Sequence, residues 1–417
     1  MKTTSFLSIL FLFHLFSITS FAQGEAAVPF LMLNPSPSQS AMGSTGTALP
    51  TEDPFGFLWN PAQLGYTSQT NNLSYIFYPA KLEWLPAFNL DLELKAIAFN
   101  TGYNFKDLIG VPLSFGFGYS NFEVNFGEFV RTDENGNVIG TFEAKDYYDA
   151  YSFGLGLDVG VQLSVGYTIK DVTSILSDQP TGEEQGTGMA ETTVNDFGIL
   201  FIVPVLKLID DKMQVQFDED LFAQPKFNFS LGYSKSNIGD SISYIDPAQA
   251  DPLPRVARTG YGIATGFDLV TDDFSINAFN LSFTVEAEDI LVSGSSMSQS
   301  HWEYQDDLDF WKNIVQIEGD EQIVSRTGTK IEFVETFTYN FGHFSGKGYG
   351  QRKTNGYEVR FKGFLKVAAL WAKHPVTDFL RDHFDIIYYN TNYFADHDLE
   401  TKMTGLAFYV HNLNELF

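Results

Sequence analysis

The sequence predicts an all-β fold, a transmembrane antiparallel β-barrel of about 14 strands with an N-terminal plug or hatch inside its lumen. Three observations carry that expectation. From about residue 71 onward, large apolar residues alternate with Gly, Ser and Asn in stretch after stretch. Phe (41) and Tyr (20) are abundant beside 35 Gly, a composition suited to aromatic-rich strands and poor in helix formers. The chain opens on an export leader and ends on an aromatic residue, Phe417.

Residues 1–22 read as a signal peptide. Lys2 supplies the cation, Phe6 to Phe16 the apolar run, and Ser20-Phe21-Ala22 the small-x-small cleavage site before Gln23. The run is short for a membrane helix and is interrupted by His14, and no later stretch reaches the ~18 uninterrupted apolar residues of one. The segment 23–68 is rich in Pro, Gly and Ser, holds the apolar cluster Phe30-Leu31-Met32-Leu33, and shows no sustained period. Inside it, Asn60-Pro61-Ala62-Gln63-Leu64-Gly65 reads as a one-turn helix. Asn60 is the N-cap, Pro61 takes the first helical position, Gln63 completes a capping box, and Gly65 ends the turn in the left-handed conformation.

Residues 69–417 are the expected barrel. Its plainest strands place Phe115, Phe117 and Tyr119 against Ser114, Gly116 and Gly118, and Phe153, Leu155 and Leu157 against Gly154, Gly156 and Asp158. Val165, Tyr167 and Ile169 alternate with Gly166, Thr168 and Lys170 in the same way, as do the stretches at 227–234 and 279–286. Weaker candidates are 73–78, 91–99, 122–130, 196–205, 258–268, 329–340, 357–368, 385–393 and 406–412. Turn chemistry is explicit at 133–137 and at Thr354-Asn355-Gly356, while 177–195, 236–254 and 293–328 read as long loops. The face opposite the apolar one is Gly, Ser and Asn, unlike the Lys-, Glu- and Thr-rich solvent face of a soluble sheet, so the apolar face looks at lipid. A barrel this wide exceeds the roughly eight strands that inward side chains can fill, and the segment 23–68 is the available filler.

The remaining chemistry is mostly excluded. There is no Cys, hence no disulfide framework or thiol chemistry, and a formal charge of −27 argues against nucleic acid or anionic headgroups as partners. No zinc-protease, phosphate-loop or nucleophile-elbow motif occurs, so no catalytic residue, metal ligand or cofactor is expected. Gly346-Lys347-Gly348-Tyr349-Gly350 reads as a strand turn, and Asp382-His383 and Asp396-His397-Asp398 as chance surface placements. Asp306, Asp307, Asp309, Glu318, Asp320 and Glu321 read as a solvated acidic loop. Trp302, Tyr304, Phe310 and Trp311, interleaved with it, make it a candidate for folding over the mouth or meeting a partner, or else they are headgroup-level aromatics.

Ala41-Met42-Gly43 with Gly46 and Ala48, then Asp53, then Trp59-Asn60-Pro61-Ala62-Gln63-Leu64, resembles the start of the FadL-like outer-membrane barrels, and within them the PorV/PorQ-type branch. Further matches are Tyr78-Pro79, Trp84-Leu85 and Asp91; Phe126-Gly127-Glu128; Ser236-Asn237-Ile238-Gly239 with Leu253-Pro254-Arg255; and Gly350-Gln351-Arg352-Lys353-Thr354 with Gly356. The resemblance implies a 14-stranded barrel with the Asn-Pro-Ala segment as a hatch, formed by Met42, Gly43, Asp53, Trp59, Asn60, Pro61 and Ala62. In the broader group such a hatch gates hydrophobic molecules. In the PorV-type branch the barrel serves type IX secretion, with exported cargo bearing C-terminal signal domains and other secretion proteins as partners. The expectation from sequence is therefore a non-enzymatic outer-membrane component of protein secretion and surface attachment. A passive transporter of hydrophobic small molecules is the alternative, and a soluble or structural exported β-protein the second.

Overall fold

The computed structural model describes residues 26–416 apart from 89–91, 134, 178–186, 212, 219–220, 245–249, 295–301, 305–306, 309–322, 347–348 and 372–373. The leader expected over residues 1–22 and the terminal Phe417 lie outside the described residues.

Fourteen antiparallel strands form one closed barrel. In chain order they are β1 (Asn72–Phe77), β2 (Glu93–Asn104), β3 (Leu113–Thr132), β4 (Val138–Asp158), β5 (Gln162–Ser177), β6 (Gly188–Pro204) and β7 (Leu221–Ile238). There follow β8 (Val256–Val270), β9 (Ser275–Ile290), β10 (Val324–Phe333), β11 (Phe337–Gly346), β12 (Tyr349–Arg360), β13 (Phe384–Ala395) and β14 (Thr401–His411). Each pairs with its sequence neighbours, and β1 closes the ring by pairing with both β2 and β14, Asn72 standing opposite Gly102 and His411. Two short strands, Leu82–Glu83 and Val215–Asp218, add to β2 and β7. The end where Asn72 meets His411 is the turn end, and the other is the loop end, with its long connections 78–92, 239–255 and 291–323.

The alternation sorts side chains as the sequence implies. Ser114, Ser152 and Thr168 point inward and are buried, whereas Phe115, Tyr151, Phe153, Leu155, Leu163 and Tyr167 point outward and remain 39–46% exposed. One exposed Phe needs no explanation, but a belt of them around a closed sheet is a lipid-facing surface. Neighbouring belt rings pack on each other, as Phe117 on Phe153 (5.6 Å) and Tyr119 on Tyr151 (5.5 Å).

Four local expectations are corrected. The stretches 113–119 and 122–130 are one continuous strand, β3, and 329–340 is two strands, β10 and β11. The two errors offset one another in the strand count. The turn splitting the second pair puts Val334 (φ 52°) and Glu335 (φ 50°) in the left-handed region with no Gly or Asn, so its sequence carries no turn signal. The 357–368 stretch leaves the barrel at Arg360 and becomes a helix, α3 (Phe361–Ala369), followed by α4 (Pro375–His383) at the turn end. Thr354-Asn355-Gly356 is not a turn but the middle of β12, with Thr354 and Gly356 facing the plug and Asn355 on the other face.

Candidate functional site

Residues 26–68 run inside the barrel. After a short helical turn, Pro29–Met32, near the loop end, Ser36 caps helix α1 (Pro37–Ala41) by accepting the Gln39 N–H (3.0 Å), and α1 lies along β12 and β13. The chain crosses β11, β10, β9 and β7 between Met42 and Ala48, folds back through Phe55–Trp59, and passes β6, β5, β4 and β3 as it forms helix α2 (Gln63–Thr67). It then enters β1.

The wall is built to receive it. Gly102, Gly116, Gly154, Gly166 and Gly198 stand directly opposite one another across β2 to β6, a continuous row of glycines on the inner face. A Cβ at Gly116 would lie 2.6 Å from the Leu64 carbonyl oxygen, and one at Gly154 would lie 2.5 Å from the Gly65 nitrogen. On the far side, Gly328 faces Gly342 across β10 and β11, and a Cβ at Gly328 would lie 2.6 Å from the Met42 carbonyl oxygen. The inward glycines therefore mark where plug backbone lies against wall backbone, with no room for a side chain between.

Polar pins fix the plug between those contacts. Thr354 Oγ1 donates to the Ala41 carbonyl and accepts the Gly43 N–H, both at 2.7 Å, while Gly43 itself takes φ 74°. Ser38 Oγ donates to Glu358 (2.6 Å), and Thr391 Oγ1 to the Pro37 carbonyl (2.6 Å). One oxygen of the buried Glu286 accepts the N–H groups of Gly46, Thr47 and Ala48 at 2.9, 2.8 and 3.1 Å, satisfying three successive donors that have no strand or helix partner. Asn60 uses its whole amide: Nδ2 donates to the Thr47 carbonyl (2.7 Å) and to the Ile199 carbonyl of β6 (3.1 Å), and Oδ1 accepts the Ala62 N–H (3.0 Å).

Charge is buried here in matched sets. Glu288 accepts from Arg258 Nε and Arg326 Nη2, each at 2.6 Å, linking three adjacent strands, and Arg326 also donates to the Gly43 carbonyl (3.1 Å). Trp59 of the plug lays its ring over the Arg258 guanidinium at 3.6 Å. Lys170 pairs with Asp196 (2.7 Å), whose carboxylate also accepts the Asn237 N–H (2.8 Å). Within the plug, Asp53 accepts from Ser36 Oγ and from the Phe55 N–H (2.9 Å), joining its two halves, and burial pushes the Asp53 carboxyl up to about 6 against the pull of those two bonds.

The plug separates two unlike halves of the lumen. Toward the loop end, Phe30 and Leu31 pack with Phe55, Phe122, Tyr148 and Val194 in one apolar cluster; the Phe30 ring is 6.1 Å from Phe122 and 5.8 Å from Tyr148. Toward the turn end, a polar cavity of about 340 Å³ is lined by Glu52, Asp53, Lys226, Lys330, Glu358 and Arg360, among others, and adjoins a second of about 270 Å³ through Leu49, Pro50 and Tyr66. Its charges are paired, Arg360 with Glu52 (3.1 Å) and Lys330 with Glu358 (3.5 Å).

The residues singled out in the sequence divide as follows. Met42, Gly43, Asp53, Trp59, Asn60 and Ala62 are buried in the plug, and Pro61 lies against Gly166. The helix expected at 60–65 starts later, at Gln63, and runs through Gly65. Gln63 forms no capping box; its side chain accepts the Thr51 N–H (3.1 Å) and donates to Gly46 (3.1 Å) and Leu49 (2.9 Å), because a plug without regular structure needs side chains to satisfy its backbone. The two ends of the 239–255 connection, singled out by the resemblance, converge at the loop end, where Asn237 donates to the Pro254 carbonyl (2.8 Å) and Arg255 to that of Gly239 (3.2 Å). Tyr304 is half-buried there under Arg255, whose guanidinium lies 3.6 Å from the ring. Trp302 is in a short strand, Trp302–Tyr304, paired with 292–294, while Phe310 and Trp311 lie outside the described residues. Asp307 accepts from Tyr233 (2.6 Å) and Lys235 (2.9 Å), which ties this loop to β7; the other five acidic positions of the loop are not among the described residues. The inward charges Lys170, Asp196, Arg258, Glu286, Glu288 and Arg326 were not anticipated as a set. Their signal was a charged residue in phase with Gly and Ser on the inner face, as Lys170 and Glu286 are.

No protein-family model matches the chain, and no curated protein does. Among solved structures the chain is similar to the toluene transporter TbuX of Ralstonia pickettii, at 12% identity and a TM-score of 0.37 over 90% of this chain and 97% of that one. It is also similar to the toluene transporter TodX of Pseudomonas putida (11% identity, TM-score 0.38, 90% and 96% covered) and to a FadL homologue of Pseudomonas aeruginosa (9%, 0.32, 90% and 97%). At such scores the likeness carries no argument about ligand or partner, and the architecture rests on the closed hydrogen-bonded ring itself.

Proposed function

We propose that the protein is a hatch-plugged outer-membrane barrel that takes hydrophobic small molecules from its loop end. In bacterial barrels the longer loops face outward and the short turns face the periplasm, which sets the loop end outside. The observation that carries the reading is a difference within the plug. From Pro37 onward it is pinned to the wall by hydrogen bonds, ion pairs and glycine contacts, whereas residues 27–33 sit in the aromatic cluster with two polar ties to the wall region, Ala27 N–H to the Pro252 carbonyl (3.0 Å) and the long bond from Asn237 Nδ2 to the Leu31 carbonyl (3.5 Å). That arm is held chiefly by apolar contact. An apolar solute can replace Phe30 and Leu31 like for like, while a polar one would lose its hydration there without compensation.

The test is binding of an apolar fluorescent probe, 1-N-phenylnaphthylamine, to the purified barrel with and without residues 26–33. Removal of the arm should raise probe binding severalfold while the barrel keeps its heat-dependent gel migration. Unchanged binding, with unimpaired uptake of hydrophobic solutes by a strain lacking the gene, would reject the transporter. A second reading is favoured by the pinned body of the plug, which holds the lumen shut: a sealed barrel whose loop end docks exported proteins, as in the PorV/PorQ-type resemblance. Periplasmic retention of exported proteins in the same strain supports that reading.

A further inference from the structure

The connection between β12 and β13 is a pair of helices, α3 and α4, whose exposed stripes are apolar. On α3 the stripe is Phe361, Phe364, Ala368 and, just beyond the helix, Trp371, spaced as one helical face; Phe364 is 53% and Trp371 87% exposed. On α4 it is Val376, Phe379 and Leu380. Two cationic residues, Lys366 and Arg381, turn the other way. Lys366 bonds Glu335 of the β10–β11 turn (2.6 Å), and Arg381 is buried over the Phe274 ring of the β8–β9 turn (4.5 Å). We propose that this helix pair, with the apolar turns beside it, is a collar seated in the interfacial region of the turn-end leaflet, its occupant zwitterionic phospholipid. This rests on the barrel alone and not on what the lumen carries.

Two observations choose lipid over a protein partner. The stripe continues the lipid belt, since Phe361 keeps the outward phase of Tyr357 on β12, and the Phe379 ring lies 5.9 Å from Phe384, the first outward residue of β13. Exposed apolar residues also recur at three more of the six turn-end connections, at Leu108 (71%) after β2, Val159 (65%) after β4, and Ile209 (71%) and Phe217 (75%) after β6. A membrane meets a barrel rim on all sides, whereas a protein docks on one. Amphipathic helices bury such stripes at the boundary of headgroups and acyl chains, with Trp at headgroup depth.

The chain has no cysteine, so single sites can be spin-labelled cleanly. Trp371→Cys and Phe364→Cys, in full-length barrels reconstituted into nanodiscs of phosphatidylcholine and phosphatidylethanolamine, would be compared with Phe408→Cys in the belt and Asn135→Cys in a loop-end turn. Heat-dependent gel migration verifies that each is folded. The collar predicts that labels at 364 and 371 collide with dissolved oxygen severalfold more, relative to a water-soluble nickel reagent, than the label at 135, and that they approach the 408 value. A folded barrel whose 364 and 371 labels match position 135 overturns the proposal.

Discussion

Asp53 shows what single side chains contribute inside this barrel. Its carboxylate joins Ser36 to Phe55 across the plug, yet burial leaves it with a pKa of about 6, above the ~3.9 of an unfolded aspartate. The folded plug therefore binds this proton more tightly than a released plug does. Anchorage is greatest below about pH 4, falls as pH rises toward 6 and levels off above it, a difference of about 3 kcal/mol. Hydrogen exchange over residues 50–58, corrected for intrinsic rates, should show stronger protection near pH 4.5 than near pH 7.5, and Asp53→Asn should abolish that difference. Equal protection at both pH values in the parent chain would refute it. Nothing in the sequence announced this role; Asp53 stood out by resemblance, and its partners lie 17 residues before and 2 after. Gln63 makes the same point, and Asn60 in part: its oxygen caps the nearby Ala62 N–H as the sequence suggests, while its nitrogen satisfies the distant Thr47 and Ile199 carbonyls.

At the level of the elements, the inner glycines carry the meaning that strand patterning left open. In phase they are the polar face of an amphipathic strand, and in register they form a row that a plug backbone touches. Gly154→Ala adds one carbon against Gly65 and should cost the plug about 1–3 kcal/mol by overpacking. Gly140→Ala lies in the same strand, where an added Cβ meets nothing within 4 Å, and should be neutral. Comparable plug protease resistance in the two variants would sink the assignment. The same contact explains the misplaced turn at Thr354-Asn355-Gly356. Asn-Gly usually marks a hairpin, but here Gly356 makes room for Ala41, and Thr354 holds the Ala41–Gly43 step. The strand-to-helix change at Phe361 had one signal: Phe364, three residues on, breaks the outward phase of Tyr357, Val359 and Phe361 and fits helical spacing instead.

For the whole molecule, the plug decides whether the barrel is a pore. Fourteen strands enclose more space than their inward Gly and Ser can fill, so the intact chain should conduct little in planar bilayers, while one lacking residues 26–68 should open a wide, steady channel. Equal conductance of the two would show that the plug does not seal. Period-two alternation by itself determined the all-β class, the inside-out face and the approximate number of strands, because those depend only on which side of a strand each residue occupies. It also left a lumen in need of filling. Which glycine meets which carbonyl, which charges neutralise one another across β8, β9 and β10, and how a packed apolar cluster comes to lie above a polar cavity were decided only in the tertiary structure. Those contacts join residues from about 30 to more than 300 positions apart, as Arg258 to Glu288, Asn60 to Ile199 and Ser38 to Glu358, and periodicity along one strand holds no information about them.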